Sequence, residues 1–325
     1  MTTEKIFEPL FPPRNSDVSR GPVKLETGQE EKRLAVLSRF ANDSYTLPDS
    51  STLMDVEKFW LTNDCLLRYL RATKWDVNAA IERIESTLKW RREFGLYDKL
   101  DAELVEPEGN TGHVLLYGYD RDMNPSLYAF PSRQVTEEGM RQIQYYTYMF
   151  EKALDATGPG VEKVSLLVNY ADKSSKTSLW KAQQVLDIVQ NHYPERLGHA
   201  FVINVPFIIN MFFKIVMAFV DPVTKQKIHF NEDVVERGFI DKDVLISASG
   251  WGGNVDFEYK HDIYWPKLVQ ECNARKEEQF RRWRALGGKI GEDESVLKGS
   301  DPLPESTNQS RDAPEVVVTP PSEVH

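Results

Sequence analysis

The stretch from Pro206 to Val220 constrains this chain more than any other, because it is apolar on nearly every side. Ile208, Ile209, Met211, Phe212, Phe213, Ile215, Val216, Met217, Phe219 and Val220 are interrupted only by Asn210 and Lys214. As a helix it extends about 22 Å at 1.5 Å per residue, short of the ~30 Å hydrocarbon core of a bilayer. The strand-like AFVIN at 200–204 feeds Pro206, a residue suited to the first helical turn, and Asp221-Pro222 ends the run. A helix this apolar in a soluble protein must lie against apolar material over most of its circumference. Two readings follow: a buried core helix, or a lid over a hydrophobic ligand.

The bulk numbers narrow the setting. With 325 residues and 41% apolar content, the chain can bury one large domain and a small one. A net charge of −10 argues against nucleic-acid binding, which needs clustered Lys and Arg. The charge is uneven: residues 291–325 hold eight acids and two bases, so that segment carries −6 of the total. Rich in Pro and Ser and poor in aromatics, it reads as a disordered acidic tail, and residues 1–29 read as similarly loose. Two cysteines, Cys65 and Cys272, fit a reducing compartment. No signal-peptide order is present at the N-terminus and no apolar run reaches a membrane span, so a cytoplasmic protein touching membranes peripherally is expected.

Periodicity divides the remainder. Helices are expected near Glu30 to Phe40, over Asn63 to Trp75, and over Val77 to Phe94, the last capped by Asp76 and closed by Gly95. Beyond Asn110 strands alternate with helices. His113 to Tyr117, Ser126 to Phe130, Lys163 to Tyr170 and Ala200 to Asn204 read as strands. Thr136 to Ala156 and Ser178 to Tyr193 read as helices, with Thr136 as a cap. Such alternation implies parallel crossovers and an α/β sheet covered by helices. Trp251-Gly252-Gly253 marks a tight turn, and Asp262 to Leu286 is a last helix bearing the basic, aromatic RKEEQFRRWR, a candidate membrane-surface stretch.

Enzyme signatures are missing. The chain has no GxSxG elbow, no phosphate-cradling Gly-rich loop and no HExxH, and its histidines and cysteines lack zinc spacing. No catalytic residue and no metal or cofactor is expected.

Three blocks, in order, carry a family resemblance: LLRYLRATKWDV at 66–77 with LKWRREFG at 88–95, HYPERLG at 192–198, and FVDPVTKQKI at 219–228. Over roughly residues 57–290 the chain resembles the CRAL-TRIO lipid-transfer family. It is similar in particular to the fungal phosphatidylinositol transfer proteins linked to azole and multidrug resistance, which share LRATKW, HYPERLG and a YWP like Tyr264-Trp265-Pro266.

The resemblance implies the CRAL-TRIO fold: a helical region at 30–100, a lipid-binding domain at 110–255 whose mixed, mainly parallel sheet floors an apolar pocket, and a helical extension at 256–290. It places a gating helix at Pro206 to Val220, with Phe207, Ile208, Met211, Phe212, Ile215, Val216 and Phe219 facing lipid; Pro206 and Asp221-Pro222 at its ends are candidate hinges. It assigns the phosphatidylinositol headgroup to Glu195, Thr224, Lys227 and Lys74. Lys227 suits a phosphate, Thr224 can donate to it, and Glu195 can accept from inositol hydroxyls.

The sequence departs from the family pattern in two places. Thr73 stands where a basic residue is expected, so that charge falls to Lys74 alone. Val164 and Leu166 stand on the pocket strand where hydroxyls contact phosphatidylcholine, with Ser165 facing the other side. Phosphatidylcholine is therefore disfavoured, and a sterol becomes the more fitting second ligand. The implied function is non-enzymatic transfer of phosphatidylinositol between membranes, or its presentation to a lipid kinase or other lipid enzyme. The alternative is a lipid or sterol sensor with the same fold. The target membrane is left open among endoplasmic reticulum, endosome, lipid droplet and plasma membrane.

Overall fold

The computed structural model describes residues 5–14, 24–171, 179–217, 220 and 222–299. Four helices come first: α1 (Thr27–Phe40), α2 (Asp55–Trp60), α3 (Asn63–Ala72) and α4 (Val77–Phe94). Their ends are set by local chemistry. The Thr62 side chain accepts from Cys65 N at the start of α3, and Asp76 accepts from Ala79 N at the start of α4. Gly95, at φ 81°, closes α4 in the left-handed region where a side chain would be strained. These helices enclose their own core of Val36, Phe40, Leu66, Leu70, Ile84 and Leu88.

The α/β part follows as α5 (Ala102–Gly109), β1 (Val114–Tyr119), β2 (Pro125–Ala129), α6 (Met140–Asp155), β3 (Val164–Asn169), α7 (Leu179–His192), β4 (Leu197–Ile203), α8 (Phe207–Val216), α9 (Pro222–Lys225) and β5 (Ile228–Phe230). Then come α10 (His261–Ala285) and α11 (Glu294–Lys298). The sheet runs β1-β2-β3-β4-β5, with β1 antiparallel to β2 and the other three pairings parallel. Right-handed crossovers stepping in one direction place α6, α7 and α8 on the same face of the sheet. Register puts Leu127, Leu166, Ala200 and Ile228 in one row on that face, and Ala129, Val168, Val202 and Phe230 in the next. The opposite face is closed by the irregular chain after β5: Phe239 packs on Phe201 and His229, and Trp251 on Tyr128. Its path depends on glycine, since a Cβ on Gly253 would lie 1.9 Å from Leu245 O.

Several expectations need correction. Thr136 does not cap α6, which begins at Met140 after an extended Gly139. Its hydroxyl donates instead to the buried Glu108 carboxylate and accepts from Gln142 Nε2 at 2.9 Å. The ends of the chain are less loose than their composition implies. Ile6 bridges to Phe257, and Leu10 and Phe11 pack on the main core. The acidic segment is structured through Lys298, because Glu294 is drawn inward by opposite charge. Arg68 Nη2 lies 2.5 Å and Lys298 Nζ 2.7 Å from its carboxylate, and Arg196 lies 3.5 Å away. Arg68 also reaches Glu162 at 2.8 Å. These guanidinium and ammonium groups hold the Glu294 carboxyl well below its ordinary range despite burial. The rest of the acidic tail, 300–325, lies outside the described residues.

Removing one partner of a buried ion pair leaves the other charge unsolvated, so Glu294→Ala is expected to cost about 3–5 kcal/mol. Urea unfolding checks this; a loss under 1 kcal/mol would mean that α11 is not bound to the helical region.

Candidate functional site at the two ends of the parallel strands

The HYPERLG run divides into a structural half and a site half. His192 stacks on Trp90 with ring centroids 4.2 Å apart and a 5° interplanar angle, and its Nδ1 lies 3.2 Å from Thr87 Oγ1. Burial pushes the His192 imidazole down to about 4. The Tyr193 hydroxyl donates to Glu151 Oε1 at 2.6 Å, and Arg91 Nη1 donates to the same atom at 2.9 Å. Arg91 therefore ties α4 to α6 and holds the Glu151 carboxyl down at about 2, against its burial. Both pairs lie in the seam between the helical region and the helices α6 and α7, beside a cavity of about 360 Å³ lined by charged groups such as Arg68 and Glu151 and by apolar ones such as Phe59, Leu154 and Phe280.

Glu195 comes next, in the left-handed region at φ 61°. A non-glycine residue there is uncommon and must be held by its surroundings. Its carboxylate lies 3.5 Å from Arg71 Nε, and Arg71 also reaches Glu162 at 3.2 Å. Lys227 Nζ donates at 3.1 Å to the carbonyl of Leu197, two residues beyond Glu195, and Lys227 N donates to Thr224 O at 3.1 Å. The amino ends of β4 and β5 thus bring Glu195, Thr224 and Lys227 together. Lys74 lies just past the end of α3 in the helical region: its backbone N donates to Arg71 O, and it is exposed at φ 54°, also left-handed. Arg71 was not singled out by sequence reasoning. It sits two residues before Thr73 in LRATKW, on the last turn of α3, and a search there for a partner to Glu195 would have found it.

The apolar half of the site lies on the face carrying the crossover helices. Central strands of a parallel sheet covered on both faces are normally buried throughout. Here Leu166 and Val168 of the central β3 are only half-buried, as are Ile228 and Phe230 on the edge strand β5, whereas Leu127, Ala200 and Val202 in the same two rows are buried. Val164 is fully buried, and the register with β4 shifts between Val164 and Leu166. Ser165 faces the other way, donating to Asp120 Oδ2 at 2.6 Å.

Above this row lies α8. Phe213 meets Phe230 edge-on with centroids 5.2 Å apart, in a cluster with Tyr170 and Val202. On its outer side Phe207 is 78% and Met211 53% exposed. Phe207, Asn210, Met211 and Lys214 form one outward stripe at helical spacing, all exposed. Ile208, Phe212, Ile215 and Val216 belong to α8 by backbone; their side chains, with Phe219 and the hinge candidate Asp221, lie outside the described residues. Among the described residues no helix is long and apolar enough to cross a membrane.

These features define a class: an α/β protein with all its crossover helices on one face of the sheet, an incompletely packed apolar row beneath a short apolar helix, and charged residues gathered at the strand ends. Comparison with known proteins specifies it. Residues 109–253 match the CRAL/TRIO domain, and residues 34–86 match the CRAL/TRIO N-terminal domain. A CRAL-TRIO domain-containing protein of Schizosaccharomyces pombe is 40% identical over 92% of this chain, which spans 30% of that protein's length. Phosphatidylinositol transfer protein PDR17 of Saccharomyces cerevisiae is 36% identical over 91% of this chain and 90% of its own length. The crystal structure of Sfh5 shares the fold alone, with a TM-score of 0.51 at 13% identity, over 78% of this chain and 99% of that one. The chain belongs to the CRAL-TRIO family.

A pH dependence follows from the buried histidines. His113 is 1% exposed, and burial, reinforced by nearby Lys181, pushes it down to about 4. In the unfolded chain a histidine takes its proton near pH 6.5, whereas the folded state resists it until about 4. Stability is thus fully present above pH 6.5 and is lost as pH falls toward 4. The thermal midpoint should drop across this window, and His113→Gln should flatten the slope; an unchanged slope would place the titration elsewhere.

Proposed function

We propose that this protein is a non-enzymatic carrier that encloses phosphatidylinositol between its sheet and α8, and moves it between membranes or presents it to a lipid-metabolising enzyme. The half-buried apolar row Leu166, Val168, Ile228 and Phe230 beneath α8 is the observation that carries this reading. Two acyl chains bring about thirty methylenes, each worth ~0.8 kcal/mol when removed from water. A ligand so apolar does not leave through water at a useful rate, so the roof must open at a bilayer.

An α8 with Phe213 turned to the sheet and Phe207 and Met211 turned outward suits both states, with Pro206 and Asp221-Pro222 as hinges. Ile208, Phe212, Ile215, Val216 and Phe219 extend the lipid-facing surface, and on the pocket strand Leu166 lines it while Val164, expected there too, is fully buried. The headgroup is assigned to Glu195, Thr224, Lys227 and Lys74. The left-handed backbone at Glu195 and Lys74 supports this, since such strain gathers at ligand sites. The relative named as a phosphatidylinositol transfer protein covers nearly the whole chain, which supports the same ligand. The protein works from the cytoplasm, without a cofactor, as a transient visitor to membranes; a sterol is the second ligand that the apolar strand would accept.

Lys227→Ala and Glu195→Ala are each expected to abolish phosphatidylinositol transfer between vesicles while shifting the thermal midpoint little. Normal transfer by the double variant would remove the headgroup assignment. Phosphatidylcholine should transfer poorly, because the accessible Leu166 offers its phosphate no charge-assisted bond, worth roughly 1.5–3 kcal/mol, and Val164 is fully buried. Equal transfer of the two phospholipids overturns that selectivity.

A further inference from the structure

Among the described residues outside α8, three segments that meet at one end of the sheet each expose a large apolar side chain. Val135 is 77% exposed, Met140 51% and Trp180 40%. They come from three separate segments: the loop after β2, the first residue of α6 and the second residue of α7. Side-chain hydrogen bonds lock those segments together. Lys181 Nζ donates to Gln134 Oε1 at 2.5 Å and reaches Gln142 Oε1 at 3.4 Å. Gln142 Nε2 donates to Thr136 O and Thr136 Oγ1, and the Tyr146 hydroxyl donates to Gln134 Oε1. Beneath the exposed apolar groups, therefore, lies a cross-linked polar layer, and the loop has little freedom to fold them inward.

Topology fixes where this patch points. β2, β3 and β4 are parallel, so the loop after β2, the start of α7 after β3 and Phe207 after β4 all lie at the carboxyl end of the sheet. Asn204 Nδ2 donates to Asn169 Oδ1 at 2.9 Å, joining the ends of β3 and β4 at that edge. The patch is thus continuous in the fold with the end from which α8 starts. Its charges do not suit a polyanion. Glu137 and Glu138 are exposed, Arg141 is paired with the buried Glu108, and Arg133 lies 3.9 Å above the Phe130 ring.

We propose that Val135, Met140 and Trp180 form a fixed apolar foot that seats the carboxyl end of the sheet on a lipid bilayer, so that α8 opens into the membrane and not into water. The proposal rests on the carrier reading and adds an immobile docking element to the moving helix. A tryptophan and two aliphatic groups on a rigid base suit the bilayer interface, where an amphipathic ring sits at headgroup level. Attachment through these three apolar side chains does not depend on anionic lipid, so salt should barely affect it.

Flotation with pure phosphatidylcholine vesicles at low and high salt tests this, using the full chain and Val135→Glu/Trp180→Glu. Phosphatidylinositol uptake from detergent micelles is measured in parallel, where no bilayer has to be docked. The variant should float several-fold less at either salt, transfer lipid several-fold more slowly, and load from micelles like the parent. Unchanged flotation of a folded variant overturns the foot. So does flotation of the parent that disappears at high salt, which would assign attachment to charge. If the patch instead joins two copies of the chain, the parent will show a concentration-dependent dimer that the variant lacks, with flotation unaltered; that too overturns it. Failure of the parent to load phosphatidylinositol would refute the carrier reading while leaving the flotation comparison intact. If the double variant is unfolded by circular dichroism, Val135→Ser and Trp180→Ser are scored by the same criteria.

Discussion

The handedness of parallel crossovers governs most of what this chain can do. Once β2, β3, β4 and β5 are laid side by side in order, right-handed connections force every intervening helix onto one face. The other face is left to irregular chain, and residues after β5 close it with Phe239 and Trp251. One face is thus sealed by chain threaded through glycine turns, and the other is roofed by separate helices. The last of these, α8, is a single short helix whose flanking strands end in polar turns. On the carrier reading proposed above, the guest lies beneath that helix, between Phe213 and the apolar rows of the sheet.

The same topology separates the two halves of the site. Parallel strands present all their amino ends at one edge and all their carboxyl ends at the other. Glu195 and Lys227 precede β4 and β5, so they share the amino edge; Phe207 follows β4, so α8 begins at the carboxyl edge and returns across the face. A lipid lying along α8 would have its polar group at one edge and its chains beneath the helix. The charged edge is in turn bound to the helical region. From Glu195 a line of opposite charges runs through Arg71, Glu162 and Arg68 to Glu294 in α11. A change in what Glu195 bonds would be felt by Arg71 first, and the buried links beyond it resist rearrangement because breaking any one strands a charge.

Local rules made much of this legible. Asp76 and Gly95 bound α4 at the expected residues, since both act within one turn of the backbone. The alternation of strands and helices foretold parallel crossovers, and the motif order identified the family. Thr136 failed as a cap because the buried Glu108, distant in sequence, claimed its hydroxyl. Composition misjudged residues 291–299 for a similar reason. An acidic stretch is expected to stay in water unless a cation is buried to meet it, and Arg68, more than two hundred residues away, meets Glu294. The partnership of Glu195 and Arg71 was equally hidden, although both residues lie inside quoted motifs, because spacing along the chain does not reveal pairing across a domain seam.

The exposed side of α8 has an energetic meaning that its buried side lacks. Holding Phe207 and Met211 in water gains nothing; burying such side chains is worth roughly 1.5–3 kcal/mol each. On the inner side, Phe213 already has Phe230 as a partner. The helix therefore cannot satisfy both of its apolar sides at once while it lies on the sheet in water. A bilayer relieves that conflict by offering the outer side an apolar medium, and whatever lies beneath the helix decides how firmly the inner side is held. On the carrier reading proposed above, opening is a competition between two apolar environments for one helix, and contact with a membrane, not thermal motion in water, controls access to the sheet.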